Sequence, residues 1–257
     1  MLKIKRFLKY SKCIKCGKEF LTYKMIGINN KENICARCGS LKDYRTKNTV
    51  TKGKITQMSF SFEFETSSNS EELYELAKYD FEGCFDGSIS GKEWKSPIFY
   101  NRKSFHAICR KLDKFKQYVG NDCGTHLHVG TKYKGKIREY EYEIFEPILN
   151  EMRENKKITK KFWGRYFGHY CQSQICTDRY NSFNTRSSVD TLEFRLLKYI
   201  NAEQYIRAAD FCIDMTRFIN YYASKDNFDI YYARKVGEII LKKYKEVTQN
   251  VQTDIDE

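Results

Sequence analysis

Three stretches of this chain carry two ionisable residues at i and i+2, with apolar residues between and around them: Glu63/Glu65, His126/His128 and Glu193/Arg195. Side chains alternate across a β-strand. Each pair therefore points to one side of a sheet while Phe60, Phe62 and Phe64, or Leu192, Phe194 and Leu196, point to the other. The pattern calls for a sheet with one apolar face and one face carrying carboxylates, imidazoles and a guanidinium. An antiparallel sheet can simply turn such a face to water. Metal-ligand and phosphate-binding residue types recurring on three strands point instead to a floor for metal and an anionic substrate.

At 257 residues the chain is long enough for one large domain with a small appendage. Apolar residues make up 41% and aromatic residues 16%, which excludes a disordered chain. No apolar run reaches the length of a membrane span, and the opening Met1-Leu2-Lys3-Ile4-Lys5-Arg6 is interrupted by charge. A cytoplasmic location is expected, with the ten cysteines reduced rather than paired in disulfides. The net charge of +13 is unevenly placed: Met1 to Thr56 holds 15 Lys and Arg against 3 Asp and Glu, leaving 31 against 30 in the remainder. A boundary near Lys54 follows, dividing a basic segment, 1–56, from a nearly neutral domain, 57–257.

Within the basic segment, Cys13-x2-Cys16 and Cys35-x2-Cys38 are separated by 18 residues, with Gly after each second cysteine. This spacing predicts a tetrahedral structural zinc site, in which two turns each supply two thiolates. A segment this short lacks a core of its own, so the metal would supply its folding energy. Four thiolates leave no open coordination position, which argues against catalysis there. Phe20, Tyr23 and Tyr44 lie among the lysines, in keeping with a nucleic-acid partner. A structural cap or protein-docking module with a solvated basic face fits the composition equally.

Along the large domain, alternation predicts a strand over Met58–Glu65, and Ser70 precedes a helix from Glu71 to about Tyr79. Strands are expected over Phe81–Phe85, Trp94–Phe99, Thr125–Thr131 and Thr191–Tyr199. Helices are expected over Arg102–Val119, Ile137–Met152, about Thr159–Phe167, Ala202–Tyr222 and about Ile230–Tyr244. With no regular β-α-β period, the class is α+β, with a mainly antiparallel sheet and flanking helices.

The motif residues in order are Ser61-Phe62-Glu63-Phe64-Glu65, Asp86-Gly87-Ser88 with Glu93-Trp94-Lys95-Ser96-Pro97, Cys123-Gly124-Thr125-His126-Leu127-His128-Val129-Gly130, Arg179-Tyr180 with Asn184, and Leu192-Glu193-Phe194-Arg195. Over roughly Gln57 to Tyr222 this series resembles the amidoligase family, carboxylate–amine ligases with the glutamine synthetase and glutamate–cysteine ligase fold. The Cys-Gly-Thr-His-Leu-His-Val-Gly block is its most specific part. Ser61 departs from it, standing where the family usually has Gly, and the zinc segment is not a family feature.

The resemblance implies an enzyme that transfers the terminal phosphoryl group of ATP to a carboxylate, after which an amine displaces phosphate to form an amide. It implies Mg2+ held by Glu63, Glu65, Glu93 and Glu193, with His126 and His128 binding metal or phosphates. Arg195 and Arg179 would neutralise the transferring phosphoryl group, and Asn184 would orient substrate. Asp86 would be metal-linked, an amine-side base, or a plain turn residue. The carboxylate and amine substrates stay open, among them peptide, protein or small molecule.

Two other functions remain. His126-x-His128 is also a transition-metal half-site, as in a hydrolase or dioxygenase, although no third-ligand spacing of those families accompanies it. The basic segment could instead serve a nucleic-acid-binding protein in which the large domain is a non-catalytic scaffold. Cys123 beside the histidines lacks an activating base and reads as a packed or substrate-lining thiol. His106 and His169 read as structural.

Overall fold

The structure, a computed structural model, describes residues 10–12, 19–21, 25–28, 32–35, 59–84 and 88–256. Cys13, Cys16, Cys38, the side chain of Cys35, and Asp86 lie outside the described residues, and the expected zinc site lies there with them.

Two short antiparallel pairs come first, β1 (Tyr10–Lys12) with β2 (Glu19–Leu21) and β3 (Met25–Ile28) with β4 (Glu32–Cys35). Six further strands form one antiparallel sheet: β5 (Phe60–Thr66), β6 (Glu82–Cys84), β7 (Lys92–Lys95), β8 (Thr125–Gly130), β9 (Phe183–Asn184) and β10 (Thr191–Phe194). Their order across the sheet is β6-β7-β5-β8-β10-β9, so the mixed α/β class with an antiparallel sheet and flanking helices is as expected. The helices are α1 (Arg102–Leu112), α2 (Lys134–Glu139), α3 (Glu141–Glu154), α4 (Lys156–Trp163), α5 (Ala202–Ala223) and α6 (Ile230–Asp256), with 3-10 turns at Glu71–Tyr79 and Asp113–Tyr118. None of the described helices is long and apolar enough to cross a membrane.

The chain divides into two compact units: Met1–Thr56 with Glu63–Ile98 and Gln117–Cys123, and Gln57–Phe62 with Phe99–Lys116 and Gly124–Glu257. The division falls inside β5, a strand common to both. In the first unit, Leu73 and Leu76 of the 3-10 turn are fully buried, and Trp94 of β7 meets Tyr74 edge-on at 5.8 Å. In the second, Phe60 and Phe62 stand edge-on to Phe105 of α1 at 5.3 and 5.7 Å, and Phe62 meets Tyr205 of α5. A further aromatic cluster of Phe162, Trp163, Phe211 and Tyr244 joins α4, α5 and α6. The apolar side of the alternating strands is thus sealed by helices, which leaves the ionisable side for chemistry.

Several boundaries differ from the sequence expectation. The strand expected over Trp94–Phe99 begins earlier, at Lys92, and stops at Lys95, ahead of Pro97, which has no N–H for the ladder. The one expected over Thr191–Tyr199 stops at Phe194, where the backbone donors pass to other partners: Arg195 N–H to Ser182 and Lys198 N–H to Trp163. The helix expected from Ile137 to Met152 is broken at Tyr140, and α4 ends at Gly164 in the left-handed conformation (φ 85°) instead of reaching Phe167.

Candidate metal and anion site

Strand registers place the ionisable residues in rows. Glu63 of β5 lies opposite Lys95 of β7, and Lys95 opposite Glu82 of β6; one step along, Glu65 faces Glu93 and Glu93 faces Cys84. Directly opposed residues in an antiparallel ladder share a face, so four carboxylates, one ammonium and one thiol line the same side of three strands. On the other strands His128 of β8 lies opposite Glu193 of β10, and Glu193 opposite Asn184 of β9. Glu63, His128 and Glu193 each offer one ligand atom, and these atoms lie within 4.8 Å of one another. Among the described residues no other three His, Cys, Asp or Glu donors come so close.

The acids are held by different partners. Lys95 Nζ is 2.9 Å from Glu93 Oε1 and 3.9 Å from Glu63 Oε1. Burial alone would depress the Lys95 ammonium, but Glu93 and Glu63 outweigh it and hold the pKa above its ordinary value. Glu82 has no such compensation. Burial pushes its carboxyl from 4.5 to about 7, opposed only by Lys95, and its Oε1 is buried without a hydrogen-bond partner. The same burial pushes the Cys84 thiol to about 11, and that of Cys123 to about 12, so neither is a ready thiolate.

Around Glu193 the contacts are closer. Asn184 Nδ2 donates to Oε2 at 2.6 Å, Arg195 Nη1 donates to Oε1 at 2.5 Å, and His126 Nδ1 lies 3.7 Å from Oε1. His128 Nδ1 is 3.2 Å from Thr191 Oγ1. Arg195 also donates from Nε to the Tyr170 carbonyl at 2.9 Å and lies over the Tyr180 ring, as does Arg179 at 5.3 Å. Asn184 is itself fixed, since its Oδ1 accepts from Arg186 N–H at 2.7 Å and Arg186 forks onto both oxygens of the buried Glu141 at the start of α3. Thr185 donates to the same carboxylate at 2.6 Å. Upstream of His126, a Cβ added to Gly124 would lie 2.9 Å from the imidazole Nε2 and 2.8 Å from Arg165 Nη2, so a side chain at this position in the Cys-Gly-Thr-His block would displace His126 or Arg165.

Of the residues singled out in the sequence, Glu63, His128 and Glu193 are brought into one donor cluster, with His126, Asn184 and Arg195 against Glu193. Glu65 and Glu93 fall one row along, where Glu93 pairs with Lys95. Arg179 shares an aromatic ring with Arg195, while Asp86 lies outside the described residues. His106 faces Asp210 at 3.0 Å and His169 meets Tyr170 edge-on, neither in the cluster. Lys95, Glu82, Thr191 and the Glu141–Arg186 pair were not anticipated. Lys95 was legible as a fourth i,i+2 pair with Glu93; starting the strand at Trp94 left Glu93 outside it.

No protein-family model, curated protein or solved structure matches the chain. The chemistry of the site therefore rests on its own donors. Two carboxylates and one imidazole suit a divalent cation of the Mg2+ or Mn2+ kind, the nitrogen favouring Mn2+. The neighbours have the form that metal centres use: a ligating histidine commonly hands its second ring nitrogen to an oxygen, as His128 does to Thr191, and a ligating carboxylate is itself hydrogen-bonded, as Glu193 is by Asn184.

Proposed function

We propose that this chain is an ATP- and Mg2+-dependent carboxylate–amine ligase that forms an amide through an acyl-phosphate, with the basic N-terminal segment recruiting a polyanionic or protein substrate. The observation that carries the reading is the compact Glu63, His128 and Glu193 donor set with Arg195 anchored beside it. A bound divalent cation there would screen the charge of the triphosphate. The chain's own groups do the rest. Asn184 fixes one oxygen of Glu193, so the carboxylate keeps a set direction. Arg195, held by Glu193, by the Tyr170 carbonyl and by the Tyr180 face, is a forked donor whose orientation is paid for before an oxyanion arrives.

A second reading, a metal-dependent hydrolase, is favoured by the same donor set, because two carboxylates and a histidine also serve to bind water-activating metals. Nucleotide use separates them. Incubation with ATP, Mn2+ or Mg2+ and mixtures of amino acids and amines should give ADP and phosphate in stoichiometric balance with an amide product. Release of AMP, or turnover of a substrate without ATP, would overturn the ligase reading. In the active case Glu193→Gln should lower ADP release by at least about 100-fold while the thermal unfolding temperature changes little, because the lost group is a ligand on the polar face and not a core contact.

A further inference from the structure

Five arginines are half-buried among the described residues, and four of them face a carboxylate: Arg102 pairs with Asp214, Arg153 with Glu146, Arg186 with Glu141 and Arg195 with Glu193. Arg165 is the fifth, and among the described residues no carboxylate pairs with it. A guanidinium stays charged in a protein, and taking it part-way out of water without a counter-ion costs free energy. Its one hydrogen bond to a described residue runs from Nη2 to the Arg195 backbone carbonyl. Nε is buried without a partner, whereas Nη1 keeps contact with solvent and has no acceptor among the described residues. The two N–H bonds of Nη1 are thus open to a ligand. Gly164, left-handed at φ 85°, ends α4 against the Lys198 carbonyl, and Lys198 N–H donates to the Trp163 carbonyl at 2.8 Å, which docks the end of α4 on the segment that follows β10. There Arg165 Nη2 and His126 Nε2 flank the bare face of Gly124, 2.8 and 2.9 Å from the point its absent Cβ would fill. The other ring nitrogen of His126, Nδ1, lies 3.7 Å from Glu193 Oε1, so a single imidazole separates the guanidinium from a carboxylate of the donor cluster.

We infer that Arg165 is an oxyanion-binding residue of this site, and that the anion it takes is the phosphoryl group in transfer. A phosphoryl group has three peripheral oxygens and can meet a cation at Glu193, Arg195 and Arg165 together, whereas a carboxylate has two. The identity of the anion rests on the ligase reading; the site itself rests on the unpaired charge. The test is calorimetric titration of the full chain with inorganic phosphate and with acetate in the presence of Mg2+, in the wild type, Arg165→Gln and Arg165→Lys, with Mn2+ affinity measured alongside. Expected are saturable phosphate binding, weakened at least about tenfold in Arg165→Gln and partly recovered in Arg165→Lys, which restores charge without the fork, and unchanged Mn2+ affinity in both. Equal phosphate affinity in wild type and Arg165→Gln, or no saturable phosphate binding in the wild type, overturns the assignment. So does acetate binding as tight as phosphate, or a parallel loss of Mn2+ affinity, which would mark a purely structural anchor. Should the variants not fold, phenylglyoxal labelling of the wild type, read by peptide mass spectrometry, decides: phosphate should slow labelling at Arg165, and an unchanged rate, or no labelling there, overturns the assignment. ATP turnover is a separate readout: phosphate binding that depends on Arg165 without any ADP release in the wild type would fail the ligase reading and leave the oxyanion site standing.

Discussion

Glu82 titrates near neutrality because burial strips water from its carboxylate and Lys95 restores only part of the lost stabilisation. Its folded pKa of about 7 lies above the ordinary 4.5, so between those values the folded chain holds a proton that the unfolded chain has released. Stability is therefore fully present below about pH 4.5 and falls as pH rises through 7. A shift of this size corresponds to about 3 kcal/mol. Glu82→Gln, which cannot ionise, should lose that slope: its urea midpoint should exceed the wild-type value at pH 8 and approach it at pH 5. A variant that tracks the wild type at both pH values would contradict the burial. Asn184 bears instead on the proposed metal site. Its amide donates to Glu193, the carboxylate proposed as a metal ligand, and removing such an outer partner typically weakens metal affinity by about 10- to 100-fold. Asn184→Ala should show that loss in Mn2+ titrations.

Among the elements, the pairing of α3 with α6 illustrates what pattern cannot reveal. Pro147 inside α3 has no N–H, so the carbonyl of Glu143 one turn earlier loses its helical donor. Gly237 of α6 lies against that carbonyl, where a Cβ would come within 2.3 Å of the oxygen. In an exposed helix Gly→Ala would stabilise by about 1 kcal/mol. Here Gly237→Ala should destabilise, because backbone rather than a movable side chain blocks the space, and the urea midpoint should fall rather than rise. The strands that carry the candidate site were legible because period-2 alternation is a local signal: β5 and β8 were found with their ionisable pairs on one side, and β10 with Glu193, although Arg195 falls just past its end. Local signals did not give β9, two residues long and fixed through Arg186 to Glu141, 45 positions away in sequence. They also missed the break at Tyr140, where the ring meets Phe228 of a distant segment and puts Glu141 at a helix start. Periodicity reports which face a residue occupies; it is silent on which distant residue completes the contact.

At the scale of the whole chain, charge is unevenly distributed. Met1 to Thr56 holds nearly all of the +13, whereas the remainder is close to neutral and concentrates carboxylates on one sheet face, which repels phosphate chains unless a cation intervenes. The large domain nevertheless has a local basic patch, since Lys156, Lys157, Lys160 and Lys161 are all exposed along α4. The two surfaces predict different outcomes for polyanion binding. Neutralising Z phosphates of a single strand gives a slope of log affinity against log salt of about −0.7Z. If the N-terminal segment is the contact, replacing Lys42, Lys47, Lys52 and Lys54 with Gln in the full chain should make the slope shallower by up to about 3 in titrations with a fluorescent single-stranded oligonucleotide. Replacing the four α4 lysines should leave it unchanged. The reverse result would move the polyanion surface onto α4, and the N-terminal segment would then be a cap or docking module whose positive charge is merely solvated. An unchanged slope in both sets, with binding retained, would place the contact on neither surface and remove the charge partition as a guide to the partner.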